Sequence, residues 1–304
     1  IHEGGHLIFG LMTGYKFNSF RIFSVILIKQ NGKLKIKNIS LAGTGGQCLM
    51  SPPELIDGKM PYVLYNLGGV ILNVITSLIF IVIYLISLWK LLSLAMIMSA
   101  IMGFASAVVN GIPMKVGDIN NDGYNAVQLG SDKDALKALW VQLKMNGALA
   151  EGIGIREMPE EWFESIDGKN DNPMITSIKV FYCNRLMAMH KFEQTKEEIK
   201  KVLESNMVLV GVYRYLLICD YIYCELIDGN IIEAEEFYTK DLQKFMKSMK
   251  KFPAILRTKY TYELLHNKDS KQAEKLRTLF NIMSEKYPYT SDIEAENELM
   301  DIAK

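Results

Sequence analysis

Two long stretches almost free of charge constrain this chain more than any other feature of its sequence. Residues 66–89 contain no charged side chain over 24 positions, and residues 91–110 contain none over another 20. A helix of about 20 apolar residues crosses the hydrocarbon layer of a bilayer. Both stretches are therefore predicted to be transmembrane helices, separated only by a turn at Trp89 and Lys90.

Residues 1–14 are predicted to be the end of a third span, because most of their side chains are apolar. The chain begins at Ile1, directly on a polar motif that needs preceding helix to hold it. We therefore expect the sequence to be a fragment that lacks the upstream part of this span.

A β-hairpin is predicted within region 20–48. The segments Ser24–Ile28 and Lys33–Ile39 flank Asn31-Gly32, the dipeptide that best fits a two-residue turn with positive φ at both positions. In the second strand lysines alternate with apolar residues, so one face is cationic and the other apolar. That pattern suits a sheet on anionic lipid, and equally an ordinary half-buried strand.

The distribution of cations predicts the orientation in the membrane. Segment 13–62 holds seven Lys and Arg, whereas the opposite turn offers only Lys90. The positive-inside rule then puts the hairpin in the cytoplasm, and two further crossings return the C-terminal domain to that side. Nucleic acid is not expected as a partner, because the only basic cluster is the short one at 29–37.

The C-terminal half is predicted to be a helical-repeat domain. Residues 124–173 contain a helix, at 125–147, and a linker rich in Gly and Pro. Within 174–304, a short turn is followed by a small residue at Thr195, Ala234 and Ala273, each 39 positions apart. Each turn is preceded by an aromatic-rich helix, such as 212–227, and followed by an amphipathic one, such as 232–246. Helical hairpins at a constant period are typical of a solenoid. The pattern resembles tetratricopeptide-like repeats, which implies a protein partner bound along one face.

The first chemical motif is His2-Glu3-Gly4-Gly5-His6, which fits HExxH. Two histidines four positions apart lie on one face of a helix and can bind one zinc ion, with the glutamate as general base. A polar motif inside a membrane segment is costly, which favours a functional interpretation over a solvated surface helix. A soluble zinc protease is opposed by the two charge-free stretches.

A third zinc ligand is expected in the polar segment after the last span, 110–123. HExxH followed by an Asn-x-x-Pro…Asp-Gly element resembles the site-2 protease family of intramembrane metalloproteases. In that family the Asp before Gly is the third zinc ligand, which implies Asp122. Gly123 is then expected to permit a tight turn that fixes the backbone of the ligand. The usual spacing from Asn110 would instead select Asp118, but Ile119 follows that residue, so Asp118 stays the alternative.

A glycine-then-asparagine motif, Gly68-Gly69 followed by Asn73, also resembles the family's middle core span. The resemblance implies that Asn73 and Asn110 lie near the active site, where they support the substrate or the oxyanion. Glycine in a membrane helix can also serve only close packing.

The sequence thus predicts a mainly α protein: polytopic membrane helices with a small β-hairpin insertion (1–123), then an α-helical repeat domain. The implied activity is hydrolysis of peptide bonds in membrane-embedded proteins or peptides, with Zn²⁺ as cofactor. The alternative is a catalytically inactive membrane-anchored scaffold that binds partner proteins through the repeats. The four cysteines form no CxxC pair and are predicted to be buried free thiols.

Overall fold

A computed structural model describes residues 1–39, 45–116, 119–164 and 171–304. The described chain is mainly helical, with one small four-stranded sheet in the order β3-β2-β1-β4. The helices are α1 (His2–Met12), α2 (Tyr62–Ile86), α3 (Lys90–Gly111), α4 (Asp122–Gln128), α5 (Lys133–Ala150), α6 (Pro173–Ala188), α7 (Phe192–Glu204), α8 (Gly211–Ile227), α9 (Ile231–Phe237), α10 (Lys240–Ser248), α11 (Pro253–Thr261), α12 (Ser270–Ser284) and α13 (Thr290–Ile302). The strands are β1 (Lys16–Ile22), β2 (Val25–Gln30), β3 (Lys33–Asn38), β4 (Gly46–Ser51), β5 (Lys115–Val116) and β6 (Ile119–Asn120).

The chain divides into two compact units. The first comprises Ile1–Phe20 and Gly46–Lys144, and the second comprises Arg21–Gly45 and Met145–Lys304. The predicted metal motif and both charge-free stretches belong to the first unit, whereas the hairpin and the helical repeats belong to the second.

Two helices of the described chain are long and apolar enough to cross a membrane. They are α2, with 25 residues, and α3, with 22, and most of their side chains are not buried by the protein. Leu85 and Leu91, for example, are 71% and 82% exposed. The helix at the predicted third span, α1, has 11 residues, which is less than a full crossing needs.

Glycines let the helices of the first unit approach closely. A Cβ atom on Gly5 of α1 would lie 2.1 Å from the carbonyl oxygen of Gly68 on α2, and a Cβ on Gly68 would lie 2.5 Å from the oxygen of Gly5. On α3, a Cβ at Gly103 would lie 2.2 Å from the Ser77 hydroxyl of α2. Small residues that bring helix backbones together are typical of membrane-helix packing.

The predicted hairpin is confirmed. Strands β2 and β3 pair antiparallel, and Asn31 and Gly32 have φ values of 50° and 74°, as a two-residue turn of this type requires. Ile26 and Ile28 are buried against Tyr287 of the second unit. The opposite face is open, because Leu34 and Ile36 are 60% and 72% exposed.

Three helical hairpins follow: α6 with α7, α8 with α9, and α11 with α12. The predicted small residues Thr195, Ala234 and Ala273 are all buried. A second feature repeats with the same period, because each turn has one residue in the left-handed region, at His190, Gly229 and Lys268 with φ of 57°, 81° and 55°.

In the first two turns, the backbone N–H groups of Lys191 and Asn230 bond to the carbonyls of Leu186 and Glu225. These bonds are the pattern that satisfies the last carbonyls of a helix that ends in a left-handed residue.

Two predicted helices are interrupted. The helix predicted at 125–147 breaks at Asp132, whose side chain accepts hydrogen bonds from the N–H groups of Asp134 and Ala135 and starts α5. The amphipathic helix predicted after Gly229 ends at Phe237, and Thr239 caps the start of α10. In both places a side-chain oxygen that caps a new helix competes with continuation of the old one.

The second unit also buries a charge cluster. Arg257 is fully buried, and its guanidinium donates to Asp220 and, at 2.8 Å, to Glu296. Attraction to these carboxylates outweighs burial and raises the pKa of Arg257, so the group stays charged in the core. All four cysteines are buried and free, as predicted.

Candidate metal centre

Three side chains converge in the first unit. His2 and His6 lie four positions apart on α1, and their Nε2 atoms are 3.2 Å apart. Asp122 is the first residue of α4, and its Oδ2 atom lies 3.0 Å from Nε2 of His2 and 3.5 Å from Nε2 of His6. Two nitrogens and one oxygen therefore form a compact triangle, and among the described residues this is the group that could hold a metal ion.

The triangle has the dimensions of a zinc site. Zinc binds His nitrogen and carboxylate oxygen at about 2.0–2.2 Å, and tetrahedral ligands at that range lie about 3.3–3.5 Å from one another. The separation of His6 and Asp122, 3.5 Å, falls in this range, and the other two, 3.2 and 3.0 Å, are slightly shorter. Oδ2 of Asp122 is buried without a hydrogen bond. Three protein ligands would leave a fourth position open, as catalytic zinc sites do.

Electrostatics favour an ionised Asp122. Burial raises the pKa of this carboxyl, but the neighbouring imidazoles of His2 and His6 outweigh burial and lower the pKa to about 2. The carboxylate therefore presents its oxygen as a ligand near neutral pH. The predicted alternative, Asp118, lies outside the described residues.

The backbone of α2 orients His6. Nδ1 of His6 lies 2.7 Å from the carbonyl oxygen of Tyr65. A carbonyl only accepts, so Nδ1 carries the proton and Nε2 keeps the lone pair that a metal needs. The Tyr65 ring is itself held by stacking on Tyr15 and by a hydrogen bond from its hydroxyl to the carbonyl of Cys48.

Gly69 makes room for His2. A Cβ atom at Gly69 would lie 2.5 Å from Cε1 of the His2 ring. The two glycines of the predicted motif thus have different tasks, since Gly68 permits the crossing with α1 and Gly69 admits an imidazole. Sequence reasoning considered close packing for such glycines but missed the imidazole, because no local signal shows which side chain will face a glycine.

The predicted supporting asparagines lie behind the ligands. Nδ2 of Asn73 is 3.3 Å from Nδ1 of His2, the ring nitrogen that faces away from Asp122. Nδ2 of Asn110 donates to the carbonyl of Ser106 at 2.9 Å. A direct role of either asparagine toward substrate or oxyanion stays a prediction.

The proposed general base, Glu3, lies beside strand β4. A Cβ atom on Gly46 would lie 2.8 Å from Cγ and 3.0 Å from Oε1 of Glu3. Glycine at position 46 is therefore the residue that allows the Glu3 side chain to occupy its present position.

Asn121 presents Asp122, and sequence reasoning missed it. Its Oδ1 accepts from the N–H groups of Met114 and Tyr124, and its Nδ2 donates to the carbonyls of Val109 and Ile112 at 2.8 and 2.7 Å. One amide thus ties the end of α3 to the start of α4 and fixes the backbone that carries the ligand. Its N-cap position was the available signal, because Asn is strongly preferred there.

Gly123 follows Asp122 for a different reason than predicted. The expectation of a tight turn was wrong, because Gly123 lies within α4 and is not among the residues with positive φ. A Cβ atom at this position would lie 2.1 Å from the carbonyl oxygen of Gly111. The glycine lets α4 contact the end of α3.

The other two histidines lie elsewhere, in the second unit. Nε2 of His190 is 3.4 Å from Glu298, and Nδ1 of His266 is 2.8 Å from the side-chain oxygen of Asn267.

Comparison of the chain with protein-family models, curated proteins and solved structures gives no match.

Proposed function

We propose that this protein is a zinc-dependent intramembrane peptidase that hydrolyses peptide bonds of membrane-embedded proteins, as its resemblance to site-2 proteases implies. The observation that carries the proposal is the convergence of His2, His6 and Asp122 on one point with separations suited to zinc. Ligands from α1 and from the start of α4, more than 110 positions apart in sequence, meet only because the chain folds this way.

The chain supplies the groups that peptide hydrolysis needs. A bound zinc ion would contribute Lewis-acid chemistry, polarising the scissile carbonyl and making water more acidic. Glu3, one position from His2 on α1, takes a proton from the attacking water and later hands it to the leaving amine nitrogen. Its side chain lies beside Gly46 and is not part of the group formed by His2, His6 and Asp122.

Support for the membrane setting comes from α2 and α3, the two helices that are long and apolar enough to cross a bilayer. A helical substrate hides its carbonyl groups in internal hydrogen bonds, so the substrate must unwind before it is cleaved. Strand β4 is the terminal strand of its sheet and lies beside Glu3, which makes its edge suited to hold an unwound segment as an added strand.

The remaining assignments belong to the same proposal. The protein would be an integral protein of a bacterial cell membrane, with its C-terminal helical hairpins in the cytoplasm, where they recruit a protein partner. Strand β3 of the hairpin carries Leu34 and Ile36 on its open face and alternates them with lysines on the other face, a pattern that suits contact with anionic lipid.

The test is metal content combined with cleavage by the purified full-length protein. We expect about one zinc per chain, as a three-ligand site predicts. Glu3→Gln should keep the zinc and reduce cleavage of a model membrane peptide by about 10²–10⁴-fold, the usual contribution of a general base. Glu54→Gln, which neutralises an exposed carboxylate paired with Lys144, is the matched control and should cleave normally.

Absence of both zinc and cleavage would refute the peptidase and leave the inactive scaffold that the sequence left open. Full activity of Glu3→Gln would instead refute Glu3 as the general base.

A further inference from the structure

A chain of side-chain contacts runs from His2 into the interface between α2 and α3. Asn73 Nδ2 lies 3.3 Å from Nδ1 of His2 and 2.9 Å from the hydroxyl of Ser106. The Ser106 hydroxyl also receives a longer contact, 3.5 Å, from Nδ2 of Asn110. Asn73 is 3% exposed, so its amide depends on these partners rather than on water.

The orientation of the Asn73 amide decides which nitrogen of His2 keeps its lone pair. If the amide nitrogen faces His2, Nδ1 must accept, the proton moves to Nε2, and Nε2 cannot bind a metal. If the amide is turned by 180°, its oxygen accepts from Nδ1–H, and Nε2 is free to face Asp122 and His6.

The Ser106 hydroxyl has two lone pairs and one proton, so it can bond to the Asn73 amide in either orientation. A zinc ligand at Nε2 of His2 requires the second orientation. In that orientation the amide of Asn110 approaches the hydroxyl oxygen as a donor. The hydroxyl proton is then available for the oxygen of Asn73, which also accepts from His2. The two predicted asparagines are therefore linked through a serine that the sequence analysis did not single out.

We propose that Ser106 and Asn73 are positioning residues that hold the His2 imidazole in the tautomer and orientation needed for zinc. The inference rests on the proposed zinc site. It assigns the Asn73 side chain the role of accepting a hydrogen bond from the zinc ligand His2, which differs from the predicted role of supporting the substrate or the oxyanion. Ser106 acts through Asn73 and touches neither the substrate nor the metal.

The experiment measures zinc affinity of the full-length protein by competition with a chelator, together with the visible spectrum of the cobalt-substituted protein. Ser106→Ala and Asn73→Ala should each weaken zinc binding by about 10–100-fold, the usual effect of removing a hydrogen-bond partner of a ligand. Both should alter the cobalt spectrum, because the imidazole is no longer fixed. Asn73→Asp retains an acceptor and should bind zinc within about 3-fold of the unchanged protein.

The matched control is Ser77→Ala. This serine lies on α2 in the same interface, and its buried hydroxyl has no hydrogen-bond partner, so zinc affinity and spectrum should stay unchanged.

The inference would be overturned if the unchanged protein bound zinc and Ser106→Ala and Asn73→Ala bound it equally well; the peptidase proposal would survive that result. Loss of affinity in Asn73→Asp as large as in Asn73→Ala would also contradict the acceptor role. Failure of the unchanged protein to bind zinc would instead overturn the proposed function and this inference together.

Discussion

The metal centre and the core of the helical hairpins are stabilised in different ways. At the metal centre, glycines let α1 contact α2, and α4 contact α3, through their backbones. In the hairpins, large side chains fill the core around a buried arginine and its two carboxylates. An atom added at the glycine contacts should therefore disrupt the metal centre, whereas removal of the arginine charge should disrupt the core of the helical hairpins.

The largest effect is expected where α1 crosses α2. Gly68→Val would place side-chain atoms onto the backbone of Gly5, which allows no local adjustment. We expect loss of zinc binding and a cost above about 4 kcal/mol in the stability of the first unit, in the range reserved for severe core changes. Thermal unfolding and zinc content measure both. Leu78→Val, at an exposed position of the same helix, is the control and should fold and bind zinc.

Arg257→Leu tests how much the buried charge cluster stabilises the core of the helical hairpins. The substitution leaves Asp220 and Glu296 without their cation, and breaking a buried pair in this way costs about 3–5 kcal/mol. Unfolding by denaturant, followed by a probe in the helical hairpins, measures the loss. Arg156→Leu removes an exposed ion pair with Glu298 and should cost below about 1 kcal/mol. Equal losses for the two variants would contradict the importance of burial.

Gly46→Ala sharpens the comparison, because here crowding should affect activity more than stability. The new methyl group meets Glu3, a flexible side chain that can move aside. A general base displaced by about 1 Å can lose about 10²-fold in rate. We expect kcat to fall by that order, with zinc content and melting temperature unchanged. Gly45→Ala, where the added methyl meets nothing, should keep full activity.

Local patterns predicted the parts of the molecule that depend on local chemistry. Charge-free length gave α2 and α3, and Asn31-Gly32 gave the turn, because a two-residue turn needs positive φ. The spacing of His2 and His6 placed both imidazoles on one face. Helix ends at Asp132 and Thr239 were missed, since a capping residue has a polar side chain like many others in a helix.

Long-range contacts could not be predicted in the same way. Gly69 admits the His2 ring and Gly123 contacts Gly111, but nothing near these glycines in sequence identifies the partner. Ser106 lies in an apolar stretch where a serine usually bonds to its own helix. Its contact with Asn73 depends on how α3 packs on α2.

The smallest expected effect concerns the pH dependence of the second unit. Burial and the neighbouring Glu296 raise the pKa of Asp292 to about 7. The folded protein therefore holds a proton that the unfolded chain releases near pH 4. This group contributes stability below about pH 4, and the contribution is lost as the pH rises to about 7.

Asp292→Asn keeps the neutral form at every pH. The variant should match the unchanged protein at pH 4 and exceed it by about 1–2 kcal/mol at pH 8 in denaturant unfolding. Glu294→Gln, at an exposed position of the same helix, is the control and should show no such gain. An equal gain in this variant would mean that general charge repulsion, rather than the carboxyl of Asp292, sets the pH dependence.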